Sequence, residues 1–131
     1  APVIGPGGAD LLVAFEKMEA VRCANFLKPD GVAIINDYAI PSSTIAAGQE
    51  TYPEGCIEEM QKHFKCITLA AGSIALELGS AKCMNIVLFG AIAHVLNLDG
   101  VDWEEIIRKT VPPKFLELNL TAYRAGLQAA Q

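Results

Sequence analysis

No two of the four cysteines, Cys23, Cys56, Cys66 and Cys83, lie closer than ten residues apart. That removes the Cys-x-x-Cys pair and the clustered runs that hold iron–sulfur centres. Histidine is equally scarce: His63 and His94 are the only two, and they offer no metal-ligand spacing. Basic runs are missing and the net charge is −5. Phosphate neutralisation needs clustered Lys and Arg, so nucleic acid and anionic membrane are excluded as partners. The longest apolar stretch, residues 86–96, is about half the ~20 residues a bilayer crossing requires, and it contains His94. A nucleophile elbow, a His-Glu-x-x-His helix and a Cys–His pairing are all absent, so no catalytic residue is assignable and no metal site is expected. No secretion signal is visible, which points to reduced thiols and a cytoplasmic location.

What is present is apolar surface. Hydrophobic residues make up 52% of the 131 and charged residues only 19%, against about 25% in an average soluble domain. A single domain is expected over residues 1–131. The surplus surface calls for a buried helical core or a large partner interface.

The pattern along the chain alternates. Residues 9–15 are apolar at consecutive positions, as in a strand covered on both faces. Residues 16–27 read as a helix that Lys28-Pro29-Asp30-Gly31 should close. Residues 32–35 form a second strand ending in Asn36-Asp37, and residues 37–49 a long connection. A helix with Pro53 at its first position follows, then a third strand over 66–70. Ser73 is an N-cap candidate for a short helix, and Ser80 for a buried one reaching Leu96, in which Gly90 can admit another backbone. Asp102 and Glu105 have capping-box spacing, with Val101 and Ile106 placed as a hydrophobic staple. Leu116, Leu120, Tyr123 and Leu127 form one face of the last helix. The expectation is an α/β fold: a three-layer, mostly parallel sheet in Rossmann-like crossover order with a helical C-terminal part. Three parallel strands leave two open edges, so further strands should precede residue 1 and the domain should be N-terminally incomplete.

Gly5-Pro6-Gly7-Gly8 precedes a strand instead of opening a helix, the wrong context for a phosphate loop. Asn36 and Asp37 stand at a strand's C-terminal end, where open α/β sheets gather ligands; an ordinary turn is the competing reading. Asn85 opens an otherwise apolar helix, either as a local hydrogen-bonding group or as one aimed at a partner. From the residues alone, the chain is an α/β domain with excess apolar surface and no self-contained catalytic machinery.

Residues 9–41 resemble the catalytic domain of the pyruvate/ketoisovalerate oxidoreductases, gamma-type, within the 2-oxoacid:ferredoxin oxidoreductases. The likeness is carried by Asp10, Phe15-Glu16, Glu19-Ala20, Arg22, Lys28-Pro29, Gly31, Asn36 and Pro41, and further on by Tyr52-Pro53, Ala75, Leu78-Gly79, Asn85, Leu88, Gly90-Ala91 and Pro112-Pro113-Lys114-Phe115. The pattern is similar to the indolepyruvate branch. The family's opening strand and glycine-rich loop have no counterpart here. The resemblance implies one subunit of an enzyme that decarboxylates an aryl pyruvate oxidatively to an acyl-CoA and reduces ferredoxin. Thiamine diphosphate, magnesium and 4Fe-4S clusters would then reside in a larger partner subunit, with coenzyme A as co-substrate and this chain inactive alone. It places Glu16, Asn36, Asp37, Asn85 and Lys114 at a pocket or subunit seam. Pyruvate, 2-oxoglutarate and branched-chain 2-oxoacids are alternative substrates. A stand-alone nucleotide-binding module and a purely structural assembly subunit are alternatives of other classes.

Overall fold

A computed structural model describes residues 3–98 and 100–131. The chain forms two compact units, the first ending at Thr68 and the second running Leu69–Gln131.

The first unit holds the sheet. Strand β1 (Ala9–Ala14) pairs in parallel with β2 (Leu27–Asn36), and β3 (Lys65–Leu69) lies on the other side of β2. The parallel α/β class read from the sequence is what is observed. Alternate residues of β1 and β2 face one way: Leu12, Ala14, Ala33 and Ile35 meet Ala20 of helix α1 (Lys17–Cys23). The short helix α2 (Ser43–Ala46) is capped by Ser42. Helix α3 (Cys56–His63) completes the core with Ile57 and Met60, and Phe64 packs beside them. Small residues at 14, 20 and 33 let α1 lie close on the sheet, and larger ones at Ile35 and Met60 fill what remains.

Three local expectations are corrected here. The helix from residue 17 ends at Cys23, a single 3-10 turn (Ala24–Phe26) follows, and β2 already begins at Leu27. Lys28-Pro29-Asp30-Gly31 is therefore a bulge inside the strand rather than a turn ahead of it. Between the pairs Ala9–Leu27 and Leu11–Val32, β1 advances two residues while β2 advances five. Pro29 is tolerated because a bulged residue needs no ladder N–H. Pro53 lies ahead of α3, whose N-cap is Gly55 in the left-handed region at φ 73°.

The second unit is helical: α4 (Ala71–Glu77), α5 (Met84–Val95), α6 (Trp103–Thr110) and α7 (Leu116–Ala129). Ser73 lies inside α4, whose N-cap is Ala70, because the helix starts earlier than the serine suggested. Ser80 does cap, its hydroxyl accepting from Lys82 N–H at 3.3 Å, but the first turn is a 3-10 turn (Ala81–Cys83). Asp102 caps α6 by accepting from Glu105 N–H at 3.0 Å. Glu105 pairs with Lys109 at 3.1 Å, and the staple residues Val101 and Ile106 are both exposed. All four predicted inward residues of α7 pack into a core with Ala93, Ile107, Phe89 and Trp103. Phe89 meets Trp103 edge-on at 5.0 Å and Tyr123 at 5.8 Å. The Trp103 indole N–H donates to Leu98 carbonyl at 3.1 Å.

Helices α5 and α7 cross at two glycines. A Cβ on Gly90 would stand 2.2 Å from the Tyr123 carbonyl oxygen, and one on Gly126 would stand 1.9 Å from that of Val87. The backbones touch, as the glycine at position 90 allowed.

Candidate functional site

Polar groups of the first unit collect where β1 and β2 end. Glu16 stands two residues past the end of β1 and is 4% exposed. As N-cap of α1 it accepts from Glu19 N–H at 2.5 Å, and its second oxygen accepts from the Tyr52 hydroxyl at 2.6 Å. That hydroxyl in turn accepts from Met18 N–H at 3.0 Å. One carboxylate and one phenol thus satisfy two of the four N–H groups that a helix start leaves without partners.

The electrostatics follow from the contacts. Burial pushes the Glu16 carboxyl upward. The Tyr52 hydroxyl and the N–H groups of Glu19, Met18 and Ile40 outweigh it and hold the group below the ordinary carboxylate range. Burial first, and then the Glu16 partner, push the Tyr52 phenol up to about 12. Neither group changes charge near neutral pH.

Asn36 ends β2 and is fully buried. Its side-chain N–H donates to the Phe15 carbonyl at 3.0 Å, tying the end of β2 to the end of β1. Just beyond, Tyr38 carbonyl accepts from Lys17 N–H at 2.9 Å, and the Lys17 ammonium pairs with exposed Asp37 at 3.4 Å. Lys17 also lies 5.9 Å from the Tyr52 ring centre. Lys17, Asp37 and Tyr52 line a cleft together with residues 53–58, which lead into α3.

The structure therefore brings Glu16, Asn36 and Asp37 together. Asn85 is exposed in the first turn of α5, and Lys114 is exposed with its ammonium 4.8 Å from the Phe115 ring. Both belong to the second unit. Sequence reasoning missed the role of Tyr52, because Glu16 lies 36 residues away. The Tyr52-Pro53 dipeptide was the available signal. Lys17 was missed because a lysine at the start of a helix reads as solvated.

Cofactor fit can be tested on the donor sets. Cys23 and Cys66 are half-buried, Cys56 and Cys83 buried, and all four are free thiols. Among the described residues no group of three or more His, Cys, Asp or Glu side chains could hold a metal ion. These residues do not fit an iron–sulfur cluster. The glycine-rich entry does not fit a phosphate either: Gly8 N–H donates to Gly5 carbonyl at 3.1 Å and Gly7 N–H to Asn25 carbonyl at 2.9 Å. Two N–H groups that a phosphate would need already have partners. Among the described residues no helix is long and apolar enough to cross a membrane.

A parallel sheet with its polar residues at the strand ends, joined to a helical unit, is the architecture of an open α/β protein of the crossover class. Comparison with known proteins narrows this. Residues 2–129 match the pyruvate ferredoxin/flavodoxin oxidoreductase family, and the chain belongs to that family. It is 33% identical to indolepyruvate oxidoreductase subunit IorB of Thermococcus kodakarensis, over 98% of this chain and 67% of that one. The same-named subunit of Archaeoglobus fulgidus is 36% identical, over 99% and 67%. The chain thus spans about two thirds of the length of these relatives. Among solved structures it resembles the gamma subunit of a keto/oxoacid ferredoxin oxidoreductase from Geobacter sulfurreducens, with TM-score 0.66 and 22% identity over 98% of this chain and 68% of that one. It also resembles a 2-oxoglutarate:ferredoxin oxidoreductase from Magnetococcus marinus, with TM-score 0.70 and 20% identity over 95% and 20%. That structure has 2-oxoglutarate, coenzyme A and succinyl-CoA bound.

Proposed function

We propose that this chain is the smaller subunit of a cytoplasmic indolepyruvate:ferredoxin oxidoreductase, which converts indolepyruvate or a related aryl pyruvate to its acyl-CoA and reduces ferredoxin. The observation that carries this reading is the 29–36% identity to four indolepyruvate oxidoreductase subunits over at least 98% of the chain. Residues 1–131 act as a gamma-type domain. Thiamine diphosphate, magnesium and the 4Fe-4S clusters belong to a larger partner subunit, and coenzyme A is the co-substrate. The dispersed cysteines and the occupied glycine turn support that division of labour. Asp37, Asn85 and Lys114 serve as exposed contact groups at the pocket or seam, while Glu16 and Asn36 hold the strand ends in shape. The chain alone is inactive.

The test is a dye-reduction assay with coenzyme A. The chain reconstituted with the larger subunit should turn over indolepyruvate faster than pyruvate, 2-oxoglutarate or a branched 2-oxoacid, and the isolated chain should turn over none of them. Preference for another 2-oxoacid would reassign the substrate, and turnover by the isolated chain would overturn the division of labour.

A further inference from the structure

Most of the cations in this chain are ion-paired: Lys17 with Asp37, Arg22 with Glu19, Lys28 with Asp10, Lys62 with Glu59, Lys109 with Glu105, and Arg108 and Arg124 with Glu104. Among the described residues, Lys65 on β3 and Lys82 and Lys114 in the second unit make no ion pair, although the chain carries 15 carboxylates. Lys82 and Lys114 stand beside one feature of the second unit. A pocket of about 240 Å³ lies between Ser80–Cys83 and the segment from Val111 to Asn119, and Lys82 is on its wall. The walls are mainly apolar, from Val111, Pro112, Phe115 and Leu118. Phe115 is 45% exposed at the rim, and the Lys114 ammonium stands over its ring.

Size decides between two kinds of occupant. Small-molecule sites run from about 300 to 1,000 Å³ and enclose most of the ligand. This pocket is smaller and open on one side, and it matches one large side chain from a protein partner. Exposed aromatic and proline surface around a half-open pocket is typical of an anchor site. The charge then selects the anchor's neighbours. Lys82 on the wall and Lys114 over Phe115, neither of them ion-paired, put positive charge beside the pocket on a chain of net charge −5, which draws an acidic segment while the rest of the body repels it.

We propose that this pocket receives an acidic segment of the larger subunit, with an aromatic or leucine side chain seated between Phe115 and Leu118 and flanking carboxylates on Lys82 and Lys114. The inference rests on reading the chain as one subunit of a larger enzyme. It adds where the two meet and by what chemistry.

The test uses the chain co-expressed with the larger indolepyruvate oxidoreductase subunit. Hydrogen exchange at residues 80–83 and 111–119 should slow in the complex relative to the free chain. The double charge reversal K82E/K114E should weaken association at least tenfold, with a smaller salt dependence, while K82R/K114R stays within twofold of the original. Both positions are exposed, and matching melting curves of the free chains check the fold. If the complex forms but these segments exchange as in the free chain, or if charge reversal leaves affinity unchanged, the docking site is overturned and the subunit reading stands. If no complex forms, both fall. Indole-3-acetate added to the free chain is the remaining arm: saturable protection of the same segments by it would make this a small-anion site and overturn the partner assignment.

Discussion

Gly90 and Gly126 face each other where helices α5 and α7 cross, so closely that a Cβ on Gly126 would lie 1.9 Å from the Val87 carbonyl oxygen. The clash is with backbone, which cannot rotate away as a side chain can.

Gly126→Ala therefore sets two effects against each other. Alanine favours a helix interior by about 1 kcal/mol over glycine. Forcing a methyl group into a filled contact costs about 1–3 kcal/mol, and more where the neighbour is main chain. The clash wins, and the substitution should destabilise the chain by about 2 kcal/mol or more in urea denaturation. A midpoint unchanged or raised would mean that the helices separate freely and the glycine pair is incidental.

Glu16 and Tyr52 make a second, independent test. Hydrogen bonds to charged groups contribute about 1.5–3 kcal/mol, and a buried partner left alone carries its own desolvation cost. Tyr52→Phe should lose stability in that range, and Glu16→Gln likewise. Because both act through one contact, the double variant should lose clearly less than the sum of the singles. Strict additivity would show that the two side chains do not depend on each other.

The pH dependence has a definite sign. The Glu16 carboxyl is lowered in the folded chain, so its stabilisation is complete above the unfolded value near 4.5 and is lost as pH falls through the folded value. The Tyr52 phenol is raised to about 12, so its part is complete below pH 10 and is lost as pH rises towards 12. Urea midpoints should hold between pH 7 and pH 5 and fall by pH 3, and Glu16→Gln should flatten that acid limb by removing the titration. A variant that loses stability in acid as steeply as the parent would place the acid sensitivity on other carboxylates.

What the sequence made legible is the part governed by periodicity and by short-range chemistry. The face Leu116, Leu120, Tyr123 and Leu127 was readable because a helix repeats at 3.6 residues, and all four are inward. The caps at Asp102 and Ser80 were readable because their partners lie two or three residues on. The bulge at Lys28–Gly31 was not, since proline and glycine signal a break equally well inside a strand or ahead of one. Nor was the Glu16–Tyr52 contact, which joins residues that only the folded chain brings together. Of the candidate site, the strand-end residues were nominated from a general rule of open α/β sheets, whereas Lys82 and Lys114 draw notice only once the pocket of the second unit is seen.

Asn36 offers a last test whose sign opposes that of Glu16. Its side-chain N–H meets the Phe15 carbonyl at 3.0 Å in a fully buried position. In Asn36→Asp an ionised carboxylate oxygen would stand where the amide N–H donated and face the Phe15 carbonyl oxygen, and burial would raise its pKa above the ordinary value. Protonated, the same group can donate to Phe15 and stand in for the amide. The variant should be destabilised by several kcal/mol at pH 7 and approach the parent's stability as pH falls towards 4, because a raised folded pKa makes the neutral form the stable one. Paired urea titrations of parent and variant across that range would show the gap closing. A gap that stays constant with pH would mean that the side chain at this position does not face the Phe15 carbonyl as described.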